Sequence, residues 1–210
     1  MSWVRIPSPA PTQLHPLVSP RTNQYHQTDL ANIRLKNVTS YDNVRYSSGT
    51  INFPRKSESN GEEMTSFSCA IQLNSKTAPE FIDITETVEN TVSQSGITSG
   101  IVTVFSKHTT AAIRVVENEP LLINDLTKML ERLAPQGDYY QHNDMEIRTV
   151  NVGKEEPPNG HSHCQQFLLA SSESIPILNS ELQLGQWQRL FFVDLDGPRT
   201  REYLVQVLGV

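Results

Sequence analysis

Residues 101–116 read Ile-Val-Thr-Val-Phe-Ser-Lys-His-Thr-Thr-Ala-Ala-Ile-Arg-Val-Val. Ile101 to Phe105 is a β-branched run between Gly100 and Lys107, and Ala111 to Val116 is a second apolar run. Two such runs separated by a short polar stretch predict a buried strand and its partner, flanking His108-Thr109-Thr110. Upstream, Phe67, Cys69, Ile71 and Leu73 alternate with Ser68, Ala70, Gln72 and Asn74, the period of two that belongs to a half-buried strand. Asp83 stands three residues before Glu86 in a capping-box arrangement, and Ile84, Val88 and Val92 recur every fourth residue until Gly96, which predicts a short amphipathic helix. Downstream, Asn118 as N-cap and Pro120 in the first turn open a second helix with Leu122, Leu126, Met129, Leu130 and Leu133 on one face, ended by Pro135 and Gly137. Residues 143–160 carry Pro157, Pro158, Asn159 and Gly160 and read as a long loop, a kind of segment that often carries function. His161 to Ala170, Ser174 to Leu178, Leu182 to Val193 and Glu202 to Leu208 then read as four strands. The sum is a strand-dominated α+β domain with two helices.

The 210 residues suffice for one domain and a tail. Cut before Met64, the first 63 residues hold 7 Lys/Arg against 5 Asp/Glu and the remaining 147 hold 10 against 18, so the parts carry +2 and −8. The acidic body argues against a nucleic-acid partner, whose phosphates need a basic face. Residues 1–63 are rich in Pro, Ser, Thr and Asn without helical or strand period, which predicts a disordered or targeting extension preceding a folded domain at 64–210. Being basic and acid-poor up to Lys56, the extension also has the look of an organelle transit peptide, so the expectation is a cytoplasmic protein, or a mitochondrial one if that reading holds. No run approaches the roughly 18 apolar residues of a membrane span, and no membrane partner is expected. Cys69 and Cys164 are too few and too far apart for a disulfide framework or a cysteine zinc motif, and read as reduced packing residues.

Four of the six histidines, His108, His142, His161 and His163, fall beside turns or loops of the folded part. Histidine is both the commonest metal ligand and the usual acid or base near neutral pH. On a strand, the spacing of His161 and His163 would point both rings to one face roughly 6.6 Å apart. Spacing alone leaves a metal or phosphate site open beside surface or hydrogen-bonded core histidines. Thr109 and Thr110 add hydroxyls suited to an anion, Ser171 and Ser172 offer two more, and Arg199 and Arg201 have the chemistry of a phosphate clamp. Each of these groups is equally at home in a solvated turn. Glu117, Asn118 and Glu119 suit a helix start, whereas Asp125 interrupts an apolar helix face and is the better functional candidate. Trp187, in Gly185-Gln186-Trp187-Gln188, reads as a buried anchor of a sheet.

Taken together, His108-Thr109-Thr110-Ala111-Ala112, Glu117-Asn118, Asp125, Tyr140-Gln141-His142-Asn143 and Asn159-Gly160-His161-Ser162-His163 follow the order of motifs in the YjbQ family. So do Ser172, Ile175-Pro176-Ile177, Leu184-Gly185-Gln186-Trp187-Gln188 and Asp196-Gly197-Pro198-Arg199-Thr200-Arg201. The resemblance covers residues 64–210 and departs at Ala170 and Ser180, where glycines are usual, and at Gln186, where threonine is usual. It implies a β-sandwich-type domain assembled as a homotrimer, with a pocket holding a divalent metal (zinc or magnesium) or an anion, and some members are linked to a secondary thiamine-phosphate synthase activity. Carried over to this chain, it implies metal ligands His108, His142 and His163 and catalytic groups Glu117, Asn118 and Asp125. A phosphorylated small molecule would then be bound by Thr109, Thr110, Ser172, Arg199 and Arg201. The family's motif holds to the second histidine of the pair, so His163 ranks above His161.

Overall fold

In a computed structural model the two runs around His108 are β4 (Ser99–Ser106) and β5 (Ala111–Glu117), yet they do not pair with each other. The structure describes residues 45–49, as a backbone strand, together with 63–153 and 156–210. All of these belong to one compact unit. β1 (Arg45–Gly49) lies within the extension, so the sheet begins upstream of Met64. The transit-peptide reading falls on residues otherwise outside the described ones.

A six-stranded sheet runs in the order β1, β2 (Thr65–Asn74), β9 (Thr200–Gly209), β4, β6 (Ser172–Leu178), β7 (Glu181–Leu182). A three-stranded sheet runs β3 (Glu80–Asp83), β8 (Gln188–Asp194), β5. All pairings given are antiparallel. The expected β4–β5 hairpin is thus a crossing from one sheet to the other, with Lys107 to Thr110 as the corner. The reason lies in burial: Val102 and Val104 of β4 and Ala111 and Ile113 of β5 are all fully buried, and in separate sheets both sets reach the same core. Ile71, Tyr203, Val205, Val207, Leu190 and Phe192 join that core from the other strands.

α1 (Thr85–Ser95) ends, as its pattern predicts, at Gly96 in the left-handed conformation, φ 71°. Asp83 lies just outside it and accepts hydrogen bonds from the Thr85 N–H and hydroxyl at 3.0 and 2.7 Å. α2 (Pro120–Leu133) is capped by Glu119 and not by Asn118. The Glu119 carboxylate accepts from Leu121 and Leu122 N–H at 2.8 and 2.7 Å, which frees Asn118 to donate to Asp83 at 3.0 Å.

The expected strand at His161–Ala170 is instead a third helix, α3 (Gly160–Leu169). Its buried residues are Gly160, His161, Ser162 and Gln165, while Cys164, Phe167 and Leu168 face outward. With polar side chains inside and apolar ones outside, the usual hydrophobic periodicity is inverted and invites a misreading. The 182–193 stretch is likewise not one strand: it breaks at a turn closed by Gln188 N–H to Gly185 O, 2.9 Å, where the chain changes sheets. Trp187 stands in that turn and is 64% exposed, so it does not anchor the core. Cys69 is buried as expected, but Cys164 is exposed. Among the described residues no helix is long and apolar enough to cross a membrane.

Candidate functional site

The connection between α2 and α3 brings two of the predicted histidines together. His142 sits in a short 3-10 turn (Gln141–Asn143) and His163 in the first turn of α3. The turn rests directly on the helix start because residue 160 has no side chain: a Cβ there would lie 2.5 Å from the Tyr140 Cβ. The Gly160 N–H also donates to Asn143 Oδ1 at 2.9 Å. The two imidazoles end with ring centroids 4.4 Å apart and planes at 64°.

Glu156, from the same long loop, completes the cluster. One donor atom each of His142, Glu156 and His163 lies within 4.8 Å of the others. Arg148 holds Glu156, with Nη2 at 3.1 and 3.0 Å from its two oxygens, and the same guanidinium donates to the carbonyls of His142 (3.1 Å) and Asn151 (2.6 Å). The Arg148 hydrogen bond, helped by the Gly153 N–H, holds the Glu156 carboxyl below the usual carboxylate range. Burial first, and then the neighbouring His142, pushes the His163 imidazole below its ordinary value and keeps its nitrogen lone pair available near neutral pH. His142 Nε2 is 3.5 Å from Glu156 Oε1, which closes no hydrogen bond, and it is buried without a hydrogen-bond partner. Two imidazoles and a carboxylate, one nitrogen unsatisfied, are donors of the kind that could hold a divalent metal ion.

Glu156 and His163 open onto a cavity of about 360 Å³ whose wall also includes Lys107, His108, Thr109, Thr110, Asn159 and Asp196. Arg199 and Arg201 line it as well, but neither is a free clamp. Arg201 is 3% exposed and bidentate to the fully buried Asp194 at 2.8 and 2.5 Å. Arg199 lies 2.8 Å from Asp196 and keeps an exposed edge, and Lys107 is paired with Glu202 at 2.5 Å. Lys107, Arg148, Arg199 and Arg201 thus face Glu202, Glu156, Asp196 and Asp194. The side chains by themselves supply almost no uncompensated positive charge for a phosphate.

His108 shares the cavity but is not a third member of the metal cluster. Its Nε2 accepts the Glu202 N–H at 2.8 Å, and burial together with Arg201 holds the ring below its ordinary pKa and so neutral. The remaining nitrogen is then an N–H donor. Thr109 is exposed, and Thr110 is buried with its hydroxyl 3.4 Å from Asp196 Oδ2. The other predicted residues lie elsewhere in the chain. Ser172 is exposed on β6 opposite Phe105 and is absent from the cavity wall. Glu117 ends β5, roughly 20 Å of strand from Thr110, and Asn118 faces Asp83 in a separate cleft. Asp125 is exposed on α2, 4.0 Å from Lys128. His161 is buried away from His163, its Nε2 3.1 Å from Ser162 Oγ, because two residues along a helix differ by about 200°. Sequence reasoning assigned no role to Glu156, Arg148, Asn159 and Asp194. The first three lie in the 143–160 loop, where Asn159 also opens one of the quoted motifs, whereas Asp194, at the end of β8, gave no signal.

The chain is thus a small α+β protein, two antiparallel sheets with a histidine-carboxylate cavity at the corner where the chain crosses between them. The family model described as "UPF0047 protein YjbQ-like" matches residues 69–210, and the chain belongs to that family. A UPF0047 protein of Methanothermobacter thermautotrophicus is 38% identical over 149 residues, covering 71% of this chain and 96% of the relative. The UPF0047 protein YugU of Bacillus subtilis is 29% identical over 140 residues, covering 66% and 97%. Among solved structures, a YbjQ-like protein of unknown function from Sulfolobus solfataricus P2 superimposes with a TM-score of 0.63 at 31% identity, covering 70% of this chain and 99% of that one. A YjbQ/UPF0047 protein from Clostridium acetobutylicum gives 0.58 at 33% identity, covering 66% and 98%.

Proposed function

We propose that this protein is a metal-assisted enzyme acting on phosphorylated small molecules, with a divalent ion held by His142, Glu156 and His163. The observation that carries this reading is the buried, unpartnered His142 Nε2 facing a carboxylate and a second imidazole at the edge of a polar cavity. Because the wall cations are already paired with carboxylates, a bound ion would supply the net positive charge that a phosphate or diphosphate requires. The chain's own groups have matching parts. His108 offers a neutral N–H donor, Arg199 an exposed guanidinium edge, and Thr109 a hydroxyl. Arg148 keeps Glu156 ionised and in place.

The family resemblance suggests a transfer of the thiamine-phosphate synthase type, in which a hydroxymethylpyrimidine diphosphate joins a thiazole phosphate and diphosphate leaves. The cavity's need for a cation at a departing phosphate group is in keeping with that chemistry. A second reading, a non-catalytic module that holds a metal or phosphorylated ligand, is favoured by one observation: among the described residues no acidic group outside the metal cluster reaches the cavity unpaired, since Asp196 is bound by Arg199. The two readings part on turnover. Elemental analysis of the purified chain should find about one zinc or magnesium per protomer, and His142→Ala with His163→Ala should abolish it. Metal binding without turnover above that double variant leaves the second reading, and no metal at all removes the first reading and leaves of the second only a module for a phosphorylated ligand.

The β-sandwich and homotrimer implied by the resemblance belong to the same proposal. The core shared by Val102 of one sheet and Phe192 of the other supports the sandwich. Ile101 and Phe105 on β4 pair in register with Leu208 and Leu204 on β9, and all four are more than a third exposed, an apolar sheet face suited to meeting another copy.

A further inference from the structure

Asn159 is the N-cap residue of α3, and asparagine ordinarily caps by letting its side-chain oxygen accept an N–H of the first turn. Here it makes no side-chain cap. Only its backbone carbonyl serves the helix, accepting from Ser162 and His163 N–H at 2.9 and 3.3 Å. The side chain belongs to the cavity wall, along with Glu156, His108 and His163. Its Nδ2 donates to Asp196 Oδ2 at 3.1 Å, and this settles which end of the amide is which, because the opposite assignment would set the amide oxygen against a carboxylate. Asp196 is in turn fixed by Arg199 at 2.8 Å and receives the Thr110 hydroxyl at 3.4 Å. The amide therefore cannot turn over. Its Oδ1 is left without a hydrogen-bond partner in a residue that is only 5% exposed. A buried acceptor in that condition is destabilising, and a satisfied partner is the rule in folded proteins.

We infer that Asn159 Oδ1 is a binding contact of this cavity, accepting an electropositive atom of the occupant: the divalent cation held by His142, Glu156 and His163, or a hydroxyl or amino hydrogen of the phosphorylated ligand. The inference rests on the metal-cavity reading and deepens it. An amide oxygen adds a donor without adding charge, so it favours a cation or a neutral polar group over bare phosphate, which has little hydrogen to give. In the second case the ligand class narrows to phosphate esters that carry a hydroxyl or amino group.

The test compares the full chain with Asn159→Ala by calorimetry, using three probes: zinc ion alone, inorganic phosphate and glycerol phosphate. If the oxygen meets the cation, the variant binds zinc at least about tenfold more weakly. If it meets the ligand, zinc and inorganic phosphate bind within twofold of the parent while glycerol phosphate weakens at least about fivefold, the loss of one hydrogen bond to a buried group. Equal binding of all three probes by the two proteins overturns the inference, as does a parent chain that binds none of them. A parent that binds no zinc but still reads glycerol phosphate through Asn159 refutes the metal reading and leaves this contact standing. Should Asn159→Ala fail to fold, the side-chain amide resonances of Asn159 in the parent decide the matter. They shift on adding zinc or glycerol phosphate, or the contact does not exist.

Discussion

Ala170 shows how much one side chain can reveal. Its backbone stands at φ 74°, ψ 159°, a region that almost only glycine enters, directly after α3 and before the β6 strand. Alanine at this position is therefore strained, and Ala170→Gly should stabilise the protein by about 1 kcal/mol, read as a higher midpoint in urea unfolding. Ser180 tells the same story: it and Asn179 hold φ 63° and 54° in the two-residue turn joining β6 to β7, where glycine is at ease. His108 carries a pH signature. Burial and Arg201 depress its folded pKa below 6.5, so as pH falls through that value the unfolded chain takes up a proton that the folded one resists. Unfolded then binds more protons than folded, and stability declines toward acid. His108→Gln, which keeps an acceptor for the Glu202 N–H, should flatten the fall in melting temperature between about pH 7 and pH 5.5. An unchanged slope would show that other groups carry it.

At the level of elements, the site depends on a helix start and a turn that fit together only through Gly160. Alanine ordinarily stabilises a helix relative to glycine by about 1 kcal/mol. Here the added Cβ would meet Tyr140 at 2.5 Å, so Gly160→Ala should instead destabilise, by about 1–3 kcal/mol, and push the 3-10 turn outward. The matching functional outcome is zinc affinity reduced about tenfold, because His142 moves with the turn. A variant more stable than the parent with unaltered zinc binding would show that the turn is not placed this way. Elements whose periodicity matched their burial were legible: β2 alternates as its residues do, α1 stops at its glycine, and α2 opens at its proline. α3 was not, since its buried side chains are a glycine, a histidine, a serine and a glutamine. The Ser162 hydroxyl and the Gln165 amide NH2 donate inward to the Leu195 and Ala134 carbonyls at 2.6 and 3.0 Å, contacts that no local pattern announces.

For the whole molecule, the proposed trimer gives a plain expectation. Phe105 is 43% exposed on the outer face of β4, opposite Leu204, so Phe105→Glu should leave the fold intact and shift the protein from trimer to monomer in light scattering. A parent chain that is already monomeric at micromolar concentration would sink the trimer proposal. The sequence by itself determined the α+β class, the strands whose side chains alternate and the family, because these follow from local periodicity and from motif order. It also marked His142 and His163. Only the tertiary structure decided that His108 stands apart from them on a backbone N–H, that Glu156 takes the third place, and that Arg201 is spent on Asp194. The structure also put Glu117, Asn118, Asp125 and Ser172 outside the cavity. The reason is physical: a donor set is defined by distances between side chains far apart in the chain, and those distances arise only when a loop closes over a helix end and two sheets share a core.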